Sequence, residues 1–462
     1  MKIYSSEVSG SLKVRGDIFA ENYIVKSTVS TITQSFSSGS TIFGDTPNDN
    51  HRFTGSLSIS GSSIALGGVN SNVIIGKNTN LIINAASTGL TAIGLNAAGG
   101  NASTELGGDD ITTIGSQAGR NMEQNPHRTT LVGAQTGRNL SVGIDNTFVG
   151  ALAGYQLTLA DKNVFVGSYA GYQTVDVDNA VIIGYQAGYS NMTSAADGTI
   201  AIGYQAGYGI TSGASNVAIG KSALPALSTG DSNLGIGDNA GSTLQSGDFN
   251  HYIGMYSGFY QQTGDKNIAI GYRSQQGVSS GNRNVSNNTS VGHNSLYHIV
   301  SNDSTAVGYQ AGYYASGSNN TFVGSQAGQG GTTSAPYSSG QQNVAIGYQA
   351  FDAFTTANQN VAIGYQAGSA HTTPSWSVYV GYQAGLRVTT GAQNVLIGGQ
   401  AGNKIITGER NVAIGAAAFQ EGIGSSNVMI GDNAGAYASG SFNTFVGKSA
   451  GIGGQQSAPF SS

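Results

Sequence analysis

The chain has 462 residues, 72 of them glycine and 6 proline, with no cysteine, 9% charged residues and a formal net charge of −5. It is too apolar and too weakly charged for a disordered chain. Glycine does not recur every third residue, which excludes collagen, and the lack of a basic tract argues against nucleic-acid binding. Without cysteine there are no disulfide staples and no thiolate metal sites.

The opening MKIYSSEVSG lacks the apolar core of a signal peptide. No stretch approaches the roughly 18 apolar residues of a membrane helix. These features predict a soluble chain that bypasses the Sec route and does not insert into a membrane. Ser11–Val14 and Asp17–Lys26 alternate like strands, and residues 28–40 are rich in Ser and Thr. We read residues 1–60 as an N-terminal attachment segment that leads through Phe53–Ile59 into a repetitive shaft, residues 61–462.

From residue 72 onward one phrase recurs, clearest as Asn-Val-Ala-Ile-Gly-Tyr-Gln-Ala-Gly at 360–368. The glycine after the Ile or Val marks 22 rungs from Gly76 to Gly447, most often 17 residues apart, as from Gly347 to Gly364 and Gly381. The steps of 21 residues, from Gly94 to Gly115 and from Gly271 to Gly292, and of 23 residues, from Gly324 to Gly347, must carry loops. Seventeen residues are too few for a helical hairpin but suffice for two strands of about five residues and two turns, one coil of a parallel β-solenoid.

Several columns recur within the unit. The residue before the marker is Ile or Val in all 22 rungs, and the residue two earlier is Val, Ile or Thr in 20, with Leu234 and His251 the exceptions. β-Branched residues spaced by two define one face of a strand, and we read that face as the coil interior. The residue between them points the other way yet is apolar in 19 of 22 rungs, Phe148, Phe165, Tyr252, Phe322, Tyr379 and Phe445 among them. A strand apolar on both faces must be covered on both, so this second face is assigned to neighbouring subunits. Three residues past the marker stands only Ala, Ser or Thr, which signals close backbone approach. The next position is Gly in 15 rungs and elsewhere often large and apolar, as at Leu224, Leu296, Phe351 and Phe419. The strand-opening position is Asn in 15 rungs, which predicts a side-chain hydrogen-bond ladder along the stack.

The NVAIGYQAG rungs resemble the head repeats of trimeric autotransporter adhesins, and more closely the tail-fibre proteins of bacteriophages, where GYQAG rungs are common. The run KVRGDIFAENYIVKSTVSTITQSFSSGSTIFGD, followed by FTGSLSISGS, is similar to virion fibre proteins of marine myovirus-like phages. The resemblance implies an all-β, left-handed parallel β-roll in a homotrimer and a non-enzymatic fibre of the virion. That fibre would act as a rigid spacer and contact for the host surface, through a glycan or a surface protein. Tail, baseplate or other fibre proteins would bind its N-terminal segment. A bacterial trimeric adhesin head at the cell surface is the alternative, and a β-helix polysaccharide depolymerase a weaker third.

The acidic pairs Asp109/Asp110 and Asp176/Asp178 are the ones that a depolymerase would use as acid and base. We read them as solvated loop charges and assign no catalytic residue. His251 is read as a tolerated core histidine. The calcium-binding nonapeptide and EF-hand patterns are missing, so no metal or cofactor is expected. Tyr155, Tyr172, Tyr189 and Tyr208 share one column; packing against one another is preferred over sugar stacking. Receptor contact is assigned to Trp376 and His371, in the segment His371-Thr372-Thr373-Pro374-Ser375-Trp376 that replaces the usual Gly-rich turn, and to Tyr337. Residues 436–451 echo 313–328 at an offset of 123 residues. The final rung is expected to be continued by a further fibre segment or a tip protein, unless residues 451–462 fold over it.

Overall fold

The computed structural model describes residues 73–75, 88–99, 109–122, 127–279, 284–334, 337–452 and 460–461. All of them belong to one compact unit, Leu66–Ser462. The attachment segment read at residues 1–60 lies outside the described residues.

The unit is an all-β parallel β-solenoid. Its 22-stranded sheet starts at Val73–Ile75 and ends at Thr444–Val446. Each strand pairs in parallel with the corresponding strand of the coils on either side. Thr147–Val149, for example, lies between Thr130–Val132 and Val164–Val166, with Phe148 opposite Leu131 and Phe165. At the spacing of hydrogen-bonded strands, the sheet extends about 100 Å.

The expected pair of five-residue strands per coil is not what forms. Each coil gives the sheet one strand of three residues. The rest of the coil is turn, because the segment after the marker alternates into left-handed backbone, as at Gln186 (φ 54°) and Gly188 (φ 51°). Such a chain cannot lie in a sheet, yet it still stacks. Gly154 N–H donates to the Ala170 carbonyl at 2.9 Å and Gly171 N–H to that of Ala187 at 3.0 Å, and isolated parallel bridges join Val142 to Leu159 and Leu159 to Asp176. Both copies of the 123-residue duplication pair a returning segment with the coil beside it. Ala315 bridges to Ser338, and Ala438–Ser439 pairs with Phe460–Ser461.

The two faces of the strand are the reverse of the sequence reading. The central residue fills the coil: Phe148, Phe165, Tyr252, Phe322 and Tyr379 are fully buried. The flanking β-branched residues point outward and stay partly exposed, and His251, at such a position, is exposed rather than in the core. The physical reason lies in volume. A coil this small has a fixed interior, so its inward column must trade size with other inward positions and therefore varies. The outward column is constrained only by strand preference, which β-branched residues satisfy uniformly.

That trade is visible at the position four past the marker. Phe148, Phe165, Phe322, Tyr379 and Leu396 are accompanied in their coils by Gly154, Gly171, Gly328, Gly385 and Gly402. A Cβ on Gly154 would lie 3.0 Å from the Phe148 ring, and one on Gly385 2.5 Å from that of Tyr379. Where the later position is large, at Leu224, Leu296, Phe351 and Phe419, the strand centre is Ala218, Ser290, Ala345 and Ala413, and all eight side chains are buried. The column three past the marker, Ala153, Ala170, Ala187 and Ala367 among it, is also fully buried.

The asparagine ladder forms as expected. Asn163 Nδ2 donates to Asn146 Oδ1 at 3.2 Å and to the Val177 carbonyl at 2.7 Å, while its backbone N–H donates to the same Asn146 oxygen at 3.0 Å. The pattern recurs from Asn216 through Asn233 and Asn250 to Asn267. These amides are buried, and each is satisfied along the stack, as buried polar groups must be. The ladder fixes the register of successive coils.

Candidate functional site

The outer face of the sheet is the most extensive candidate contact surface. Ile346, Ile363, Ile414 and Ile430 lie on it, each 37–38% exposed. Beside them, one residue past the marker, stand the exposed Tyr185, Tyr204, Tyr309, Tyr348, Tyr365 and Tyr382. Successive rings stack along the roll: Tyr348 on Tyr365 and Tyr365 on Tyr382, both at 5.4 Å. Alternation along the strand turns the Ile and Val outward, and the parallel register lines them up coil after coil. The result is an apolar stripe. Stripes of this kind mark contact with another surface.

The three residues assigned to receptor contact from the sequence occupy different settings. Trp376 is exposed, and its indole N–H donates to Gln359 Oε1 in the preceding coil. Tyr337 stacks on His298 at 4.2 Å. His371 is enclosed in the interior, so its ring is not available to a receptor. Its Nε2 lies 3.0 Å from the Pro374 carbonyl and its Nδ1 2.9 Å from the Tyr379 hydroxyl. The tautomer that serves both partners carries its proton on Nε2 and accepts the Tyr379 O–H at Nδ1. Elsewhere this column holds Leu140 and Leu157, eight residues before Phe148 and Phe165; here a His–Tyr pair replaces a Leu–Phe pair.

Burial lowers the His371 pKa to about 4, only partly opposed by the Pro374 carbonyl. In the unfolded chain the same ring titrates near 6.5. Between these values the unfolded chain binds the extra proton, so stability is complete above about pH 6.5, falls as pH is lowered and levels off below about pH 4, by roughly 3 kcal/mol per chain. The variant carrying both His371→Leu and Tyr379→Phe is expected to lose this part of the pH dependence. Denaturant melts at pH 7.5 and pH 4.5 check it: the wild type should lose more stability than the variant across that interval.

The tyrosine column packs on itself. Tyr155–Tyr172, Tyr172–Tyr189 and Tyr189–Tyr208 stack at 5.2, 5.3 and 4.9 Å, and the Arg138 guanidinium lies over Tyr155. Ring faces are consumed within the ladder.

One carboxylate of each acidic pair is tied to the backbone of the neighbouring coil. Asp178 Oδ1 accepts the Asp161 N–H at 2.7 Å, and Asp178 N–H donates to Asp197 Oδ1 at 2.8 Å. Asp231, Asp248 and Asp265 repeat the arrangement. Asp109 Oδ1 accepts the Thr88 N–H at 2.8 Å, a bond that holds its pKa below the usual carboxylate value. Asp176 is raised instead, by burial first and then by Asp178 and Asp197. Asp109, Asp178, Asp197, Asp231, Asp248 and Asp265 thus each accept a backbone N–H from the preceding coil. Among the described residues no group of three or more His, Asp or Glu is placed to hold a metal ion, and no helix is long and apolar enough to cross a membrane.

The fold and these surfaces define a class, a β-solenoid repeat protein whose outer sheet face carries a column of Ile and Val, flanked by Tyr in some coils and by Lys221, Asp238, Asp432 and Lys448 in others. The chain matches no family model and no curated protein.

Proposed function

We propose that the chain is the shaft of a trimeric fibre, a bacteriophage tail fibre by the resemblance of its repeats, in which three parallel copies pack through the outer faces of their sheets. The observation that carries this reading is the column of outward Ile and Val that runs coil after coil, flanked by stacked Tyr at Tyr348, Tyr365 and Tyr382. Exposed apolar surface that repeats along a face is where contact with another surface is expected. A parallel trimer brings identical stripes together in register, and the uniform coil height makes the match repeat along the roll. The shaft then serves as a rigid spacer between its attachment segment and a host surface. It is non-enzymatic in this reading, which is supported by Asp109 and Asp178, one carboxylate of each acidic pair, each accepting a backbone N–H of the neighbouring coil.

Light scattering coupled to size exclusion is expected to give three times 46.8 kDa. Replacing Ile346, Ile363 and Ile414 together by Asp puts three charges per chain on the stripe and should yield monomers that retain the far-ultraviolet dichroism of the wild type. A wild-type chain that is a stable, soluble monomer would refute the trimer.

A further inference from the structure

The inward columns are apolar over most of the roll, which makes a departure from them informative. Three successive coils, marked by Gly254, Gly271 and Gly292, turn six polar side chains inward. Ser257, Ser274 and Ser295 stand where other coils have Ala153, Ala170 or Ala367. Gln261 takes the place held by Leu227 and Leu244 in the two coils before it. Gln275 occupies the position of Leu224, and Ser290 the strand centre that is Ala218 in the coil of Leu224. All six are fully buried.

Among the described residues, the buried apolar side chains part at this layer into two clusters. One runs from Leu90 to Ala269 and the other from Val285 to Ala438. The serines bond to one another: Ser274 Oγ lies 2.6 Å from Ser290 Oγ and 3.3 Å from Ser295 Oγ. The glutamines are served less well. Gln275 Nε2 donates to Asn267 Oδ1 at 2.8 Å, an oxygen that also accepts both bonds of the next ladder step, from Asn288. Gln261 Oε1, Gln275 Oε1 and Ser257 Oγ have no partner. Each buried polar atom left unpaired is costly, and a polar layer buries less apolar area than the Ala and Leu it replaces. The sheet itself continues, with Ile268 opposite Thr289. What weakens here is the side-chain contact between coils.

The stability of a solenoid is a sum of coil terms and of contacts between neighbouring coils. One weak contact in a row of strong ones divides the row. We infer that the roll consists of two cooperative halves that meet at this polar layer, so that one half opens while the other stays folded. The layer is a built-in parting point of the shaft. The inference concerns the core of a single chain and does not require the trimer. In the proposed fibre, parallel copies would carry the layer at one level and give the spacer a defined place to yield.

The test is hydrogen exchange of the full chain, pulse-labelled across a denaturant titration and read peptide by peptide by mass spectrometry. Peptides from 127–250 are expected to lose protection together, and so are those from 297–437. The two midpoints should differ by about 0.5 M denaturant or more. Ser257→Ala, Gln261→Leu, Ser274→Ala, Gln275→Leu, Ser290→Ala and Ser295→Ala, made together, install residues that the same columns hold in other coils. This variant should bring the two midpoints together. Gln261→Leu with Gln275→Leu is a milder repair and should narrow the gap even if the full set does not fold. Light scattering on the same samples reports the oligomeric state separately. A wild-type chain in which every peptide opens at one midpoint overturns the inference. So does a boundary outside 251–296, or a folded repaired variant whose gap is unchanged.

Discussion

Gly203→Ala is expected to destabilise the roll by about 3 kcal/mol or more per chain. Gly203 sits at φ +135°, and a Cβ built there would lie 2.5 Å from the carbonyl oxygen of Gly220 in the next coil. Two separate costs combine. The backbone region is open only to glycine, and the overlap is with backbone that the neighbouring coil cannot move without breaking its own pairing, Ile200 opposite Val217 and Ile202 opposite Ile219. Two further glycines separate the terms. Gly447 has φ +124° but meets only the Ala450 Cβ at 3.9 Å, and Gly399 has nothing within 4 Å and no positive φ. Gly447→Ala should therefore show the backbone cost without the clash, and Gly399→Ala should be neutral or stabilising by about 0.5 kcal/mol through the unfolded chain. Thermal melts of the three variants check the order Gly203, Gly447, Gly399 from most to least damaging. Equal losses at Gly203 and Gly399 would show that the marker column is not a site of close backbone stacking.

Much of this architecture is legible in one sequence because a solenoid repeats its physics every coil. The marker glycine, the small column and the asparagine column each impose one constraint that translation along the axis copies. Asn216, Asn233, Asn250 and Asn267 thus announce their ladder by spacing alone. Which face of the strand is inside does not follow from the uniformity of a column. In a small coil the interior is instead the varied column, since Phe148 and Ala345 balance different partners within equal volumes. The His371–Tyr379 pair was not anticipated either. The signal existed: His371 stands in a column that elsewhere holds Leu140, Leu157, Leu227 and Leu244. A cleft lined by Tyr260, Gln276, Tyr297, His298 and Tyr337 draws on separate coils. The step lengths showed where the loops are, but not that the folded stack brings them to the same place.

Exchanging the large residue between the two inward positions of one coil is expected to be tolerated, although either half of the exchange is damaging. Ala345 and Phe351 are both fully buried, and the Phe351 ring stacks on Phe354 at 5.3 Å. Ala345→Phe alone puts a second ring into filled volume and should cost about 1–3 kcal/mol. Phe351→Gly alone leaves a cavity and should cost about 3–5 kcal/mol, a little less for the relief of a non-glycine residue at φ 55°. Together they recreate the coil of Phe322 and Gly328. The new ring would face Phe322 across the ladder, since Phe322 and Ala345 are register partners. The precedent is Phe148 on Phe165, stacked at 4.8 Å in adjacent coils that carry Gly154 and Gly171. The double variant is therefore expected to lose less stability than Phe351→Gly alone, with a coupling of about 2 kcal/mol or more per chain. Denaturant melts of the four proteins give that coupling directly. Strictly additive losses would mean that the two positions do not share one volume, and that Gly accompanies the large strand centres only because the turn requires it.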